Sequence, residues 1–224
     1  MTPESIYDSA WQQPGLLGGL GVAALLYVVA ALRGDRAAWS PFLRSWAVVW
    51  AVEIIADAWL TSSYGPLRGG LARAAAIAFV IAGDLRCFLL VERLISVGHK
   101  GAAILARSVA WSFVASLVVA AATRLAPDLF GPTRHVFLLY EIVSLGLFAA
   151  WWARLARRDN SPEVSLARAA VGFFLVQYAL WAGSDIAILA GVRAAFIVRI
   201  VPNVLYYGVF VAWVLRRAPR SLRA

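Results

Sequence analysis

The sequence predicts an all-α integral membrane protein, a bundle of seven transmembrane helices in one domain that covers residues 1–224. Composition is the first observation, because 62% of the residues are hydrophobic and 15% are charged. Soluble domains are about half apolar and about a quarter charged. The second observation is that apolar runs of about 20 residues, the length that crosses a bilayer, recur along the chain. The third is that lysines and arginines concentrate between these runs, as they do in membrane proteins.

Turn-forming residues separate the apolar runs and set the predicted helix ends. Ser40-Pro41 precedes the second run and Tyr64-Gly65-Pro66 follows it. Residues 126–132 are the most turn-rich loop, and Ser161-Pro162 suits the start of a helix. The predicted helices cover residues 14–32, 45–64, 72–95, 103–124, 136–153, 169–190 and 194–215.

Three glycines, Gly18, Gly19 and Gly21, lie in the first predicted helix. They do not resemble a nucleotide-binding loop, because no strand precedes them. Small residues in a membrane helix allow a neighbouring helix to approach closely. We therefore expect a helix contact here.

The distribution of lysine and arginine predicts an outside N-terminus and a cytoplasmic C-terminus in a bacterial-type cytoplasmic membrane. The predicted cytoplasmic side holds fourteen basic residues and the outer side holds five. The N-terminus carries Glu4 and Asp8, which argues against a cleaved signal peptide, since such peptides begin with positive charge. The cytoplasmic set is Arg33, Arg36, Arg44, Arg93, Lys100, Arg107, Arg154, Arg157, Arg158, Arg168, Arg216, Arg217, Arg220 and Arg223.

A weak internal repeat relates the second and third predicted helices to the sixth and seventh. In this alignment Glu53 matches Gln177, and Gly83-Asp84 matches Pro202-Asn203. The repeat implies two three-helix units joined by the fourth helix, a 3+1+3 arrangement. That architecture is similar to the SWEET sugar-transporter fold, in which parallel repeats occur.

Several kinds of site are not expected. Cys87 is the only cysteine, which excludes an internal disulfide and a CxxC metal site. His99 and His135 fall at or beyond predicted helix ends, where they cannot form a metal or haem site between helices. Seven helices with an outside N-terminus are similar to microbial rhodopsins, but the only lysine, Lys100, is in a loop, so a retinal Schiff base is disfavoured and no cofactor is expected. The net charge of +9 is spread over loops, so nucleic-acid binding is not expected.

Ionisable side chains inside the predicted helices are the main functional signal. Each carboxylate at mid-helix costs about 2.5–3.5 kcal/mol to insert, so it needs a partner, a water-filled cavity or a function. The bland interpretation of Glu92, next to Arg93 at a helix end, is an interfacial anchor. From the rise of about 1.5 Å per residue we place Glu53, Asp84, Gln177 and Asn203 near the midplane. The carboxylates inside predicted helices are Glu53, Asp57, Asp84, Glu92, Glu141 and Asp185.

Glu53 and Asp57 are four residues apart and share a helix face. Two acids on one face repel in a low dielectric, so we expect one of them to hold a proton near neutral pH. The structural alternative pairs acids with Arg86 and Arg199, the two arginines at depth. Pro202 predicts a kink in the last helix. The predicted substrate-binding set is Glu53, Asp57, Asp84, Arg86, Glu141, Gln177, Asp185, Arg199, Asn203 and Tyr206.

Three functions fit these residues. The first is a transporter of a small molecule or ion, for which a protonatable carboxylate suits proton coupling. The third is a non-catalytic membrane subunit or sensor whose acids only hold helices together. In each case the surroundings are the lipid bilayer, and an oligomer is compatible with the sequence.

The second function is an intramembrane enzyme acting on a lipid or isoprenoid. The run Val49-Trp50-Ala51-Val52-Glu53 resembles the small integral-membrane terpene cyclases, which place a catalytic Glu in the second helix after a tryptophan-containing run. The resemblance implies Glu53 as the catalytic acid. In this hypothesis Glu53 or Asp57 is the general acid and the tryptophans beside them stabilise positive charge, whereas the alternative role for Trp46, Trp50 and Trp59 is packing. The Trp-Glu neighbours of that family are absent, and Asn203 stands where its second acid is sought.

Overall fold

The computed structural model describes residues 2–34, 39–96, 100–130 and 133–219. These residues are helical with no strand among them. One segment, Leu205–Val209, is π-helical. The segment Trp11–Leu16 instead contains a kink at Gln13, whose φ of −141° and ψ of 115° are not helical. The α-helices are α1 Pro3–Tyr7, α2 Leu17–Gly34, α3 Pro41–Leu60, α4 Gly69–Ile95, α5 Gly101–Leu125, α6 Pro127–Phe130, α7 Thr133–Ala156, α8 Pro162–Leu189, α9 Ala195–Val198, α10 Ile200–Val204 and α11 Phe210–Arg217.

In the described part of the chain, six helical stretches are long and apolar enough to cross a membrane. They support a polytopic membrane protein. The count of seven is not confirmed. The second predicted helix corresponds to α3, which has 20 residues but carries Arg44, Glu53 and Asp57. The six stretches are Trp11–Arg33, Gly69–Ile95, Gly101–Leu125, Arg134–Ala156, Pro162–Leu189 and Ala195–Arg217.

Polar capping explains why two helices begin earlier than their apolar runs predict. Helix α3 begins at Pro41, and the Ser40 hydroxyl accepts a hydrogen bond from Leu43 N at 3.4 Å. Helix α8 begins at Pro162, and the Ser161 hydroxyl accepts one from Val164 N at 3.4 Å. A serine cap followed by proline in the first turn satisfies free backbone N–H groups, so the helix extends into polar sequence.

The last predicted helix, 194–215, is not a single regular helix. The chain forms α9 and α10, widens into the π-helical segment Leu205–Val209, and continues as α11. Helix α3 also ends at Leu60 rather than at residue 64. Residues 127–130 of the predicted loop 126–132 form the one-turn helix α6, whereas residues 131 and 132 lie outside the described residues.

The chain divides into two compact units, and the boundaries fall inside α4 and α10. Unit 1 comprises Met1–Val80 and Asn203–Ala224. In unit 1 helix α2 packs on α3, and a side chain at Gly21 would meet Ile54 and Ile55. Nothing lies near a side chain placed at Gly19, so the predicted close contact is confirmed at Gly21 and wrong at Gly19.

Unit 2 comprises Ile81–Pro202 and is built around the hairpin of α7 and α8. Phe88 of α4 stacks on Phe148 of α7, with ring centroids 4.9 Å apart. The hairpin continues into a tight turn at Gly191, whose φ of +87° lies in the left-handed region that glycine tolerates. There Gly191 N donates to Ile188 O and Val192 N donates to Ala187 O, both at 2.9 Å, which is a Schellman motif.

Candidate functional site

A chain of hydroxyl and amide groups ends on the Asp57 carboxylate in unit 1. Asp57 lies one turn before the end of α3 and is 5% exposed. It accepts a hydrogen bond from the Tyr207 hydroxyl at 2.7 Å. The Thr61 hydroxyl lies 3.0 Å from the other carboxylate oxygen and shares its proton between that oxygen and the Asp57 backbone carbonyl, at 2.7 Å. The Gln13 amide in turn donates to the Thr61 oxygen at 2.8 Å. Three separate segments of unit 1 therefore converge on one buried carboxylate.

Glu53 lies one helical turn before Asp57, and both of its carboxylate oxygens are buried. The pair therefore shares a helix face, as the spacing predicted. The two donors to Asp57, Thr61 and Tyr207, are neutral hydroxyls and bring no positive charge. The described arginines of unit 1 lie at helix ends or in a loop; they are Arg33, Arg44, Arg68, Arg73, Arg216 and Arg217.

The π-helical segment Leu205–Val209 carries two adjacent tyrosines with different partners. The Tyr206 hydroxyl donates to the backbone carbonyl of Phe79 at 3.3 Å, whereas the Tyr207 hydroxyl donates to Asp57. Tyr206 belongs to the predicted substrate-binding set and is buried, but this hydrogen bond of its hydroxyl goes to a backbone group rather than to an acid. Asn203, also in the predicted set, is buried at 8% exposure.

In unit 2, two tyrosines hold the carboxylate of Asp84. The Tyr140 hydroxyl donates to one oxygen at 2.6 Å and the Tyr178 hydroxyl donates to the other at 2.5 Å. Asp84 is 1% exposed. Arg86, two residues along α4, is fully buried, and its guanidinium lies 6.0 Å from the centre of the Phe174 ring.

Arg199 bridges two buried acids from different helices of unit 2. Its guanidinium contacts Glu141 at 3.0 Å and also pairs with Asp185. Arg134 adds a second ion pair to Asp185 at 3.1 Å. The turn after α8, at Gly191, returns the chain so that Arg199 faces Asp185. This cluster holds two acids and two arginines, so its formal charges cancel.

Gln177 is the predicted site residue with the least satisfied side chain. It is fully buried, and neither its amide nitrogen nor its amide oxygen has a hydrogen-bond partner among the described residues. The Ser144 hydroxyl of α7 is likewise buried without a partner in that part of the chain. Buried polar groups normally find a partner, because leaving one unsatisfied costs about 1–3 kcal/mol. These groups are therefore places where water or a polar ligand is needed.

The structure adds detail to two further predicted groups. Glu92 is buried at 4% exposure and pairs with Arg107 of α5 at 2.9 Å. Trp59, one of the three tryptophans of α3 near the acids, is 52% exposed. The other two tryptophans of α3 are buried, and Trp46 packs edge-on against Phe210 with centroids 6.0 Å apart.

The most informative partners of the acids did not appear among the predicted residues. They are hydroxyl groups and one arginine placed in a loop by the apolar-run analysis. Adjacency is the signal that could have found most of them: each tyrosine is the neighbour of a predicted residue, and Thr61 is four residues from Asp57. The missed residues are Thr61, Arg134, Tyr140, Tyr178 and Tyr207.

The described residues contain no cluster of three or more His, Cys, Asp or Glu side chains that could hold a metal ion. No protein-family model, curated protein or solved structure matches the chain.

Proposed function

We propose that the chain is a membrane transporter of a small molecule or ion, with Glu53 and Asp57 as the proton-coupling site. One observation carries this proposal: the buried Asp57 carboxylate accepts hydrogen bonds from two neutral hydroxyls, with a second buried acid one turn away. Acids in an apolar helix are expensive unless they bind protons, cations or partners. The described arginines of unit 1 lie at helix ends or in a loop, away from mid-helix.

The hydroxyl donors suit a carboxylate that changes its protonation state. A tyrosine or threonine hydroxyl can donate a hydrogen bond to a carboxylate and can also accept one from a carboxylic acid. Tyr207 and Thr61 can therefore remain bonded to Asp57 in both forms, with only the proton positions reversed. Proton binding then changes the charge of the site without dismantling it.

We assign the polar groups of unit 2 to two roles, holding helices together and binding substrate. The cluster of Arg199, Glu141, Asp185 and Arg134 is charge-balanced, which favours a helix-holding role for it. Asp84, held by two tyrosines, and the unsatisfied amide of Gln177 are the groups of unit 2 that we assign to a polar substrate. An amide without a partner can donate to and accept from such a substrate.

The proposal includes a topology. We infer that α3 is a seventh crossing, because its 20 residues match the bilayer core and its two acids, Glu53 and Asp57, belong to the site. The positive-inside bias supports an outside N-terminus and a cytoplasmic C-terminus in a bacterial-type cytoplasmic membrane. The 3+1+3 repeat stays a prediction, as does the expectation of no cofactor.

Proton flux in proteoliposomes tests the proposal. Purified protein is reconstituted with an entrapped pH dye, and Na⁺, a primary amine and a hexose are added in turn outside. The wild type is expected to move protons with at least one compound. The double variant E53Q/D57N is expected to lose that coupled proton movement, because amides cannot bind and release the proton.

A loop acid supplies the control. Asp159 is exposed and lies outside the helices, so D159N, which neutralises one carboxylate there, is expected to keep the wild-type flux. Proton movement that is unchanged in E53Q/D57N would disprove the coupling role. Wild-type vesicles that move none of the compounds faster than empty vesicles would contradict transport of these classes.

One observation favours a second function, an intramembrane acid-catalysed enzyme on an isoprenoid. Trp46, Trp50, Glu53 and Asp57 fall at spacings of four, three and four residues, which is one helix face. Trp50 is buried, and its indole N–H has no acceptor among the described residues. Incubation with linear isoprenoids, followed by mass spectrometry, separates the two functions. A cyclic product of unchanged mass that E53Q abolishes supports the enzyme, and its absence supports the transporter.

The third function, a non-catalytic subunit or sensor, gives a distinct result in the same variants. The acid-to-amide changes would then lower the unfolding temperature, while neither flux nor product would be seen with the wild type.

A further inference from the structure

A cavity of about 320 Å³ lies in unit 1 between the end of α2 and the start of α3. It lies at the start of α3, whereas Asp57 lies near the end of that helix. Among the described residues, two aliphatic and two basic side chains line it. These are Val29, Leu32, Arg33 and Arg44.

The two arginines bring concentrated positive charge to this cavity. Arg33 is exposed and Arg44 is half-buried. Within the described ranges, neither guanidinium forms an ion pair with a carboxylate. An arginine guanidinium presents several N–H donors in a fixed fork that matches the oxygens of a phosphate group. Because Arg33 and Arg44 line the same cavity, both can contact one phosphate group there.

The place of the cavity in the fold indicates the rest of the ligand. Arg33 is the last residue of the apolar stretch Trp11–Arg33, where a membrane-crossing helix meets the headgroup layer. Val29 lies one turn earlier and faces the same cavity. A ligand that carries a phosphate at one end and an acyl chain at the other satisfies both halves of this lining.

We propose that this cavity binds the phosphate group of an anionic phospholipid, held by Arg33 and Arg44 with its acyl chain against Val29 and Leu32. Basic pockets between membrane helices are known to select anionic headgroups. A free phosphate ion shares the charged half of the chemistry but not the apolar half. This site is independent of the transport proposed for Glu53 and Asp57.

Lipid retention measured by native mass spectrometry tests the proposal. The full-length protein in detergent micelles is titrated with phosphatidylglycerol and, separately, with phosphatidylcholine. The wild type is expected to prefer phosphatidylglycerol. The double variant R33Q/R44Q is expected to lose about thirtyfold in that preference, since each arginine near the headgroups contributes about a factor of five.

A second double variant removes the same charge elsewhere. Arg157 and Arg158 are both exposed near the α7–α8 turn, and R157Q/R158Q is expected to retain the wild-type preference. If R33Q/R44Q and R157Q/R158Q lose the phosphatidylglycerol preference equally, the preference depends on net charge alone and the proposed site is overturned. A third arm adds inorganic phosphate: if millimolar phosphate displaces phosphatidylglycerol completely, the ligand is a free anion and the lipid proposal fails. Unfolding temperatures of the variants, expected to match the wild type, verify that each is folded.

Discussion

At the scale of single residues, the buried acids differ in the groups that contact their carboxylates. Asp57 and Asp84 are held by hydroxyl groups, of Thr61 and Tyr207 for the first and of two tyrosines for the second. Glu141 is held by the positive charge of Arg199. A hydroxyl stabilises a carboxylate without cancelling its charge, so it leaves the acid able to take a proton. A nearby cation favours the charged form of an acid, and the bridge through Arg199 joins two helices.

Removal of the Tyr207 hydroxyl tests this distinction in unit 1. Y207F leaves one oxygen of the buried Asp57 carboxylate without its donor, which should lower the free energy of unfolding by about 1–3 kcal/mol. Y206F removes a longer bond to a backbone carbonyl, at 3.3 Å, and should cost less. Thermal unfolding in detergent, followed by tryptophan fluorescence, measures both. Y207F is also measured in a D57N background, which isolates the interaction between Tyr207 and Asp57. If Y207F lowers the free energy of unfolding equally in the wild type and in D57N, the contact between the two side chains is refuted.

Arg199 supplies the corresponding test in unit 2. R199Q leaves Glu141 and Asp185 buried without their shared cation and should destabilise the protein by about 3–5 kcal/mol. The triple variant R199Q/E141Q/D185N removes all three charges and should recover part of that loss. Arg193 is exposed in the turn before α9, so R193Q should change stability by less than about 0.5 kcal/mol. Equal effects of R199Q and R193Q in chemical unfolding would show that the buried bridge contributes nothing.

At the scale of helices, local signals set where each element begins and how closely it packs. Ser40 and Ser161 cap α3 and α8, which lets both helices extend into polar sequence. The glycine-rich run of α2 contacts α3 at one position only, because side chains three or four residues apart share a helix face. Gly21 lies on the buried face and Gly19 lies on the exposed face.

Paired valine substitutions in α2 test the packing of this element. A Cβ at Gly21 would lie 2.9 Å from Ile54 Cγ2 and 3.0 Å from Ile55 Cγ1, whereas a Cβ at Gly19 meets nothing within 4 Å. G21V should therefore cost about 1–3 kcal/mol of stability through overpacking. G19V makes the same chemical change in the same helix and should be close to neutral. The difference between their unfolding midpoints is the measurement, and two equal midpoints would contradict the α2–α3 contact.

At the scale of the whole molecule, the distribution of charge divides the interior from the ends. Six stretches are apolar enough to cross a membrane. Helix α3 is not among them, because it carries three charged residues, Arg44, Glu53 and Asp57. Each of these charges has a place in the proposals: Arg44 at the lipid cavity, the two acids at the coupling site. The number of crossings therefore depends on whether α3, with these three charged residues, spans the membrane.

Cysteine labelling counts the crossings. In a C87A background, single cysteines replace Glu4, Ser63 or Asn160, all of which are exposed. If α3 crosses, E4C and S63C should react with an impermeant maleimide from the same side, and N160C should react only from the opposite side. The positive-inside bias predicts that Glu4 is outside. Labelling of E4C and S63C from opposite sides would leave α3 out of the membrane and reject the seventh crossing.

The sequence by itself determined the class of fold and most of the acidic residues of interest. Long apolar runs leave a chain few alternatives to membrane helices, because an unpaired backbone cannot remain in a bilayer. Ionisable residues in such runs stand out because each is expensive there. The positions of Glu53, Asp57 and Asp84 inside helices required nothing beyond that argument.

Only the tertiary structure decided which partner each acid has. Tyrosines are common in apolar helices and cost little to bury there. Nothing in the sequence therefore marked Tyr207, Tyr140 and Tyr178 as the partners of the acids. Tyr207, which is absent from the predicted set, bonds to Asp57, whereas its neighbour Tyr206 of that set bonds to the Phe79 carbonyl. Partners such as Arg134 and Asp185 are distant in the chain, and their pairing depends on how helices pack. Burial cost is a property of one residue and can be predicted from sequence, whereas pairing is a property of two surfaces.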